Sequence, residues 1–235
     1  MRQFLFKSFS SDFRLRHVVV ILLASLLVFA FSLVHSQWAP LHRWNRAFGD
    51  TALVLLAVAL SLGPLAVLLR RTRGWLVWRR ETAIWSVLLA FIHTIIVLDG
   101  WVDWNLIRLF GFEYSPQFQR YIMLQHGFGL ANATGILALL FGLVLLLTSN
   151  DISVRRLTLP VWQHLQRGAV VFWWLVLVHL AYFLFIHFLD VRRPMLEPNP
   201  LQWFFVVLAL TVGLLRSAAF VRQWRNSVPV NRGHR

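Results

Sequence analysis

Histidine is the residue type in this chain that can do chemistry in an apolar environment. The chain contains nine histidines, and two of them, His93 and His179, lie inside long runs of apolar residues. An ionisable side chain in such a run is costly unless it pairs with or binds something, so both are candidate functional residues. The others include His17, His35 and His42, which lie at the ends of runs, where we expect solvated or interfacial positions.

The two candidate histidines lie at the same depth in their runs. His93 comes 12 residues after Glu81, and His179 comes 12 residues after Arg167; these charged residues mark the starts of the third and fifth runs. Alternate spans cross a membrane in the same direction, so at about 1.5 Å per residue both imidazoles lie roughly 18 Å from the same end. Two neutral imidazoles facing each other across apolar helices are what a bis-histidine haem iron needs. The spacing therefore predicts that His93 and His179 are the axial iron ligands of a haem b.

The residues around these histidines are compatible with a flat apolar ligand. On the third run, the face of His93 also carries small or slim side chains, among them Ser86, Ala90 and Val97. The alternative is that each histidine hydrogen-bonds a neighbouring helix and binds nothing.

Six apolar runs must position these residues. Of the 235 residues, 58% are hydrophobic and only 14% are charged, which excludes a soluble single-domain enzyme. Each run is close to the length that a helix needs to cross the ~30 Å hydrocarbon core of a bilayer. The composition predicts an all-α membrane protein, a six-transmembrane-helix bundle, and no internal repeat is visible in it. The runs are residues 18–34, 51–69, 83–98, 129–148, 169–189 and 201–215.

The distribution of positive charge predicts the orientation. Of the 23 Lys and Arg residues, 17 lie in the two termini and the loops 70–80 and 150–167, and six lie on the opposite side. Because Lys and Arg favour the cytoplasmic side, both termini are predicted to be cytoplasmic in a multi-pass protein of the cell membrane, specifically a bacterial inner membrane. The net charge of +14 is then a topology signal and does not indicate a nucleic-acid partner.

The predicted layout has three parts. A cytoplasmic segment, 1–17, precedes the transmembrane domain, 18–220, and a cytoplasmic tail, 221–235, follows it. The alternative for the first run is a cleaved signal peptide. The stretch 101–128 is too short for an independent domain, and we expect it to fold against the outer face.

Several chemistries are excluded by what the sequence lacks. The chain has no cysteine, which excludes disulfides and Cys-ligated metal sites or iron–sulfur clusters. It has neither a phosphate loop nor a Gly-rich dinucleotide fingerprint, so we expect no flavin or nicotinamide site. A transporter is disfavoured because the apolar runs contain no Asp, Glu or Lys.

Short motifs between residues 46 and 190 resemble a known family. In order, they are Arg70-Arg71, His93, Ala131-Asn-Ala-Thr-Gly135, Leu147-Thr-Ser149 before Arg155-Arg156, Trp162 and His179. In them the chain resembles the ferric reductase-like transmembrane domain family. This family includes ferric reductases, the membrane portion of NADPH oxidases and the haem-binding membrane subunit of a bacterial methionine sulfoxide reductase system.

The resemblance implies two stacked haems, each held by one histidine from span three and one from span five. His93 and His179 match the outer pair, whereas the inner pair departs from the family pattern. The family's Trp-x-x-Leu-His-Arg is here Trp162-Gln-His-Leu-Gln-Arg167, which puts Gln166 in the ligand position, and Arg79 lies where the span-three ligand would be. His164 is the candidate substitute, so we predict one haem b, with two as the alternative.

These observations predict a haem-b-binding membrane electron-transfer protein. Electrons would pass from a quinol or from a separate flavin reductase toward a redox partner on the outer side. The chain would then be an oxidoreductase component that needs partners besides membrane lipid. The alternative is a non-redox scaffold or assembly protein that keeps the fold without haem, since one ligand pair is already missing.

Overall fold

Six long apolar helices dominate the structure, a computed structural model that describes residues 11–123, 127–189 and 198–227. The described residues contain six helical stretches long and apolar enough to cross a membrane, the third and fifth of which also include the short helical segment that precedes the long helix. This confirms the predicted six-helix, all-α membrane fold. The six long helices are α1 (Ser11–Val34), α2 (Pro40–Leu68), α3 (Arg79–Gly100), α5 (Phe128–Leu147), α8 (Ala169–Phe185) and α9 (Gln202–Ser227).

Shorter elements lie at the two ends of the bundle. At one end, called the hairpin end below, α4 (Leu106–Leu109) is followed by strands β1 (Phe112–Ser115) and β2 (Arg120–Met123), which pair antiparallel. The 3-10 segment His187–Leu189 also lies at this end. The opposite end, called the basic end, carries the 3-10 segment Arg70–Trp78, α6 (Asp151–Leu157) and α7 (Leu159–Arg167).

Helices α1, α2, α3 and α9 each extend at least four residues beyond their apolar runs. The second starts at Pro40, well before residue 51, because proline at a first helical turn costs no hydrogen bond and presets φ. It therefore includes Asp50, and α3 likewise includes Glu81. The apolar runs contain no acidic residues, but the helices that include these runs do. The last helix continues to Ser227, past the predicted domain boundary at 220.

Helix α2 is the centre of the bundle. It packs against α1, α3 and α9, while α5 packs against α8 and meets α3. Side chains between these helices form a buried apolar core, whereas large apolar side chains elsewhere on the helices point outward and are exposed, as expected for a surface in contact with lipid. The core includes Leu53, Leu56, Leu60, Val87, Phe172, Phe205 and Val212.

The segment that follows α3 folds against the start of α5. The Asn132 side-chain amide donates to the carbonyl of Leu109, 2.8 Å away, and Leu109 is buried. Gly129 lies directly against the carbonyl of Phe110, an approach that a side chain would prevent. The expected docking of this stretch on the bundle is therefore confirmed for the described residues.

Candidate cofactor site

The side chain of His93 on α3 packs against the neighbouring helix α2. Its Nδ1 atom is 3.0 Å from the carbonyl oxygen of Asn45. One turn further along α2, Gly49 lies under the ring, and a Cβ atom there would be 3.0 Å from Nδ1 and 3.2 Å from Cε1. The imidazole can take this position because Gly49 has no side chain.

His179 on α8 repeats this arrangement against α5. Its Nδ1 atom is 2.7 Å from the carbonyl oxygen of Ala131. A Cβ atom at Gly135 would be 2.6 Å from Nδ1 and 2.8 Å from Cε1 of the ring. The Ala131/Gly135 spacing, which by itself indicates only close helix packing, also accommodates this histidine.

The two hydrogen bonds fix which ring nitrogen carries the proton. A carbonyl oxygen can only accept, so Nδ1 of both His93 and His179 must donate. Each neutral ring then keeps its lone pair on Nε2, the atom that can bind a metal. Metal-binding histidines usually have this orientation, with the other ring nitrogen donating to a carbonyl or carboxylate. The hydrogen bond to a neighbouring helix expected under the non-binding alternative is present, and it also leaves Nε2 able to bind a ligand.

Both histidines line one cavity of about 240 Å³ in the half of the bundle toward the hairpin end. Most of its wall is apolar, and the contributing helices include α2, α3, α5 and α8. Apolar walls around a few convergent polar groups are typical of cofactor pockets. The apolar part includes Leu53, Leu56, Ala90, Val97, Ile136, Leu139, Phe172, Val176 and Leu180.

The number of protein side chains that can bind a metal at this cavity restricts the kind of metal centre that it can hold. Within the described residues there is no group of three or more His, Asp or Glu side chains that could hold an ion. A bare zinc or iron ion needs at least three protein ligands, whereas a haem brings four nitrogens and needs only axial ones. His93 and His179, presented with Nδ1 protonated in an apolar cavity, therefore supply the two axial ligands that a haem needs.

A buried polar pair next to the cavity was not found from the sequence. His35 is fully buried, and its Nε2 atom is 2.7 Å from Oδ2 of Asp50, which lines the cavity. The expectation that His35 is interfacial is wrong, because the start of α2 extends beyond the apolar run and encloses it. The only signal in the sequence is Asp50, a carboxylate directly before the second apolar run and 15 residues after His35.

His164 does not lie at the cavity. It is an exposed residue of α7 at the basic end, so the structure does not bring it together with His93 and His179. Gln166, in the family's ligand position, instead donates to Oγ1 of Thr148 at the end of α5, 3.1 Å away. The Nε1 atom of Trp162 donates to the backbone carbonyl of Thr148 at 2.8 Å. Two side chains of α7 therefore hydrogen-bond to the residue at the end of α5.

His187 lies toward the hairpin end. The ring of His187 packs against Phe128, Tyr182 and Phe183, and His187 lines the cavity. His126, which by sequence lies at the same surface, falls outside the described residues.

Fold and site together define a class of protein: a six-helix membrane bundle with two imidazoles on different helices directed to one apolar cavity. A sequence-family model described as "ferric reductase like transmembrane component" matches residues 48–177, more than half of the chain. The chain therefore belongs to this family, whose description marks it as a membrane electron-transfer component. No curated protein matches the chain.

Proposed function

We propose that this protein binds haem b through His93 and His179 and transfers electrons within the membrane. The observation that carries the proposal is the pair of Nδ1–carbonyl hydrogen bonds, which leave two Nε2 lone pairs at one apolar cavity. A bound haem would supply reversible one-electron chemistry at its iron. The protein's part is to hold both imidazoles in one tautomer and to exclude water with its apolar walls.

Electrons enter from another molecule in this proposal, because no nucleotide-binding motif occurs in the sequence. A quinol in the bilayer or a separate flavin reductase is the donor. The basic end suits an acidic reductase because arginines lie in its loops, and Arg70, Arg71 and Arg73 are exposed there. The acceptor is a redox partner at the hairpin end, toward which the cavity lies.

One haem per chain is the proposed stoichiometry. A second, inner haem would need a ligand from α7 near the end of α5, and Gln166 there is engaged with Thr148. His164 is exposed on α7 and does not line the cavity that holds His93 and His179.

The test is the absorption spectrum and haem content of the purified full chain from haem-replete cells. We expect the Soret and α bands of a six-coordinate haem b and, by pyridine haemochrome assay, one haem per polypeptide. His93→Ala and His179→Ala should each remove the bound haem or leave it five-coordinate. His164→Ala is the matched control and should retain both the spectrum and the stoichiometry.

Each alternative has its own result. A colourless, well-folded wild-type protein would contradict haem binding and favour the non-redox scaffold. Two haems per chain, falling to one in His164→Ala, would contradict the single-haem stoichiometry. If the wild type binds haem but His93→Ala and His179→Ala keep its spectrum, the assigned ligands are wrong.

A further inference from the structure

The two histidine sites are copies of one local arrangement. We use the term histidine–glycine contact for one arrangement between two helices. The Nδ1 atom of a histidine on one helix donates to a backbone carbonyl of the other helix, and the imidazole ring lies against the glycine four residues after that carbonyl. His93 makes this contact with Asn45 and Gly49, and His179 makes it with Ala131 and Gly135. In both contacts 48 residues separate the histidine from the residue whose carbonyl accepts its proton.

We propose that Gly49 and Gly135 are positioning residues of the cofactor site. The inference rests on the proposed haem function and adds that the backbone of α2 and α5, not only the histidines, sets how the ligands are presented. Each glycine acts through its histidine and does not itself touch the cofactor in this proposal.

The distances leave no room for a methyl group at Gly135, and at Gly49 a methyl group fits only if His93 shifts. Carbon atoms pack best at about 3.5–4.0 Å. A Cβ at Gly135 would approach His179 to 2.6 Å, and one at Gly49 would approach His93 to 3.0 Å. The rings cannot simply move aside, because each is held by its Nδ1 hydrogen bond. A methyl group must therefore lengthen that bond or turn the ring, and both changes move Nε2.

Two other glycines of the chain provide controls that distinguish the positioning of a histidine from ordinary helix packing. On the same helix as Gly135, a Cβ at Gly142 would lie 3.1 Å from Cζ of Phe172 and touch no histidine. On α9, a Cβ at Gly213 would meet nothing within 4 Å. Gly142→Ala thus reports tight packing of α5 against Phe172 of the cavity wall and against Val87 of α3, with no histidine among the nearest atoms. Gly213→Ala reports the effect of alanine in a helix.

The experiment compares haem affinity and coordination in Gly135→Ala, Gly49→Ala, Gly142→Ala and Gly213→Ala, each purified as the full chain. Haem affinity is measured by transfer to apomyoglobin, and coordination by the low-spin spectrum and by binding of carbon monoxide to the reduced protein. Loss of support for a metal-binding histidine typically weakens binding by about tenfold or more. We expect that loss, with new carbon monoxide binding, in Gly135→Ala, and a smaller change of the same kind in Gly49→Ala. Gly213→Ala should keep the wild-type haem spectrum and affinity. Gly142→Ala, which presses on Phe172 of the cavity wall and on no histidine, should keep the low-spin coordination and the resistance to carbon monoxide.

A double variant distinguishes positioning from general destabilisation. If Gly135 acts through His179, Gly135→Ala should weaken haem binding no further in a His179→Ala protein, since contacting residues act non-additively. The inference is overturned if wild type binds haem while Gly135→Ala and Gly49→Ala keep its affinity, spectrum and resistance to carbon monoxide. It is also overturned if Gly142→Ala changes coordination as much as Gly135→Ala. Absence of haem from the wild type would instead contradict the proposed function itself.

Discussion

At the scale of single residues, the His35–Asp50 pair is the least expected feature of the bundle. Both side chains are buried, and the hydrogen bond between them is 2.7 Å long. Replacing one partner leaves a polar group in an apolar interior, which costs about 3 kcal/mol, whereas replacing both by apolar residues removes the mismatch. We therefore expect His35→Leu and Asp50→Leu each to lower the free energy of unfolding by about that amount, and the double variant to lose less than the sum.

The measurement for this pair is unfolding by SDS titration, followed by tryptophan fluorescence in detergent micelles. His42→Leu is a suitable control, because His42 is only half-buried and its ring contacts Trp101. Strictly additive losses from the two leucine substitutions would show that the hydrogen bond contributes no coupling energy.

The sequence predicts some of the site residues and not others for a physical reason. His93 and His179 stand out because a titratable side chain inside an apolar run is rare, and counting residues along a helix gives its depth. The glycines under their rings have no such signal, since glycine is common in membrane helices and only the three-dimensional structure shows what lies above it. The burial of His35 cannot be predicted from the apolar runs, because it depends on how α2 packs beyond its run.

At the scale of elements, an ion pair joins α1 to α3 near the basic end. The Nε atom of Arg16 donates to Oε1 of Glu81 at 2.9 Å, and Glu81 is almost fully buried. Arg16→Gln leaves that carboxylate without its cation, which we expect to lower the free energy of unfolding by about 3 kcal/mol. Arg14→Gln, on the exposed surface of the same helix, should cost less than about 0.5 kcal/mol. Thermal unfolding in micelles compares the two; equal losses would show that charge on α1, not this pair, stabilises the bundle.

Hydropathy predicts the positions of the six long helices more accurately than it predicts where these helices begin and end. All six apolar runs are helices, because a backbone in lipid must satisfy its hydrogen bonds internally. The polar segments at the basic end lie outside the apolar runs, so this requirement does not determine their structure. There the position of α7 is set by Trp162 and Gln166, whose hydrogen bonds to Thr148 join residues far apart in the chain. A single sequence cannot reveal such pairs.

At the scale of the whole molecule, the proposed direction of electron flow depends on which end of the bundle faces the cytoplasm. The excess of Lys and Arg at the basic end predicts that this end is cytoplasmic. The chain has no cysteine, so single-cysteine variants can be labelled without background. Gly74→Cys, at a position with open space around it in the basic end, and Gln117→Cys, at an exposed position between β1 and β2, probe the two ends.

In intact cells with a permeabilised outer membrane, a membrane-impermeant maleimide should label Gln117→Cys. It should label Gly74→Cys only after the inner membrane is opened. Ala47→Cys, at a fully buried position, is the control and should react only after denaturation. The reverse order for the first two variants would place the cavity's end of the bundle toward the cytoplasm. Donor and acceptor would then exchange sides, while the assignment of His93 and His179 would stand, because it depends on the cavity and not on the orientation.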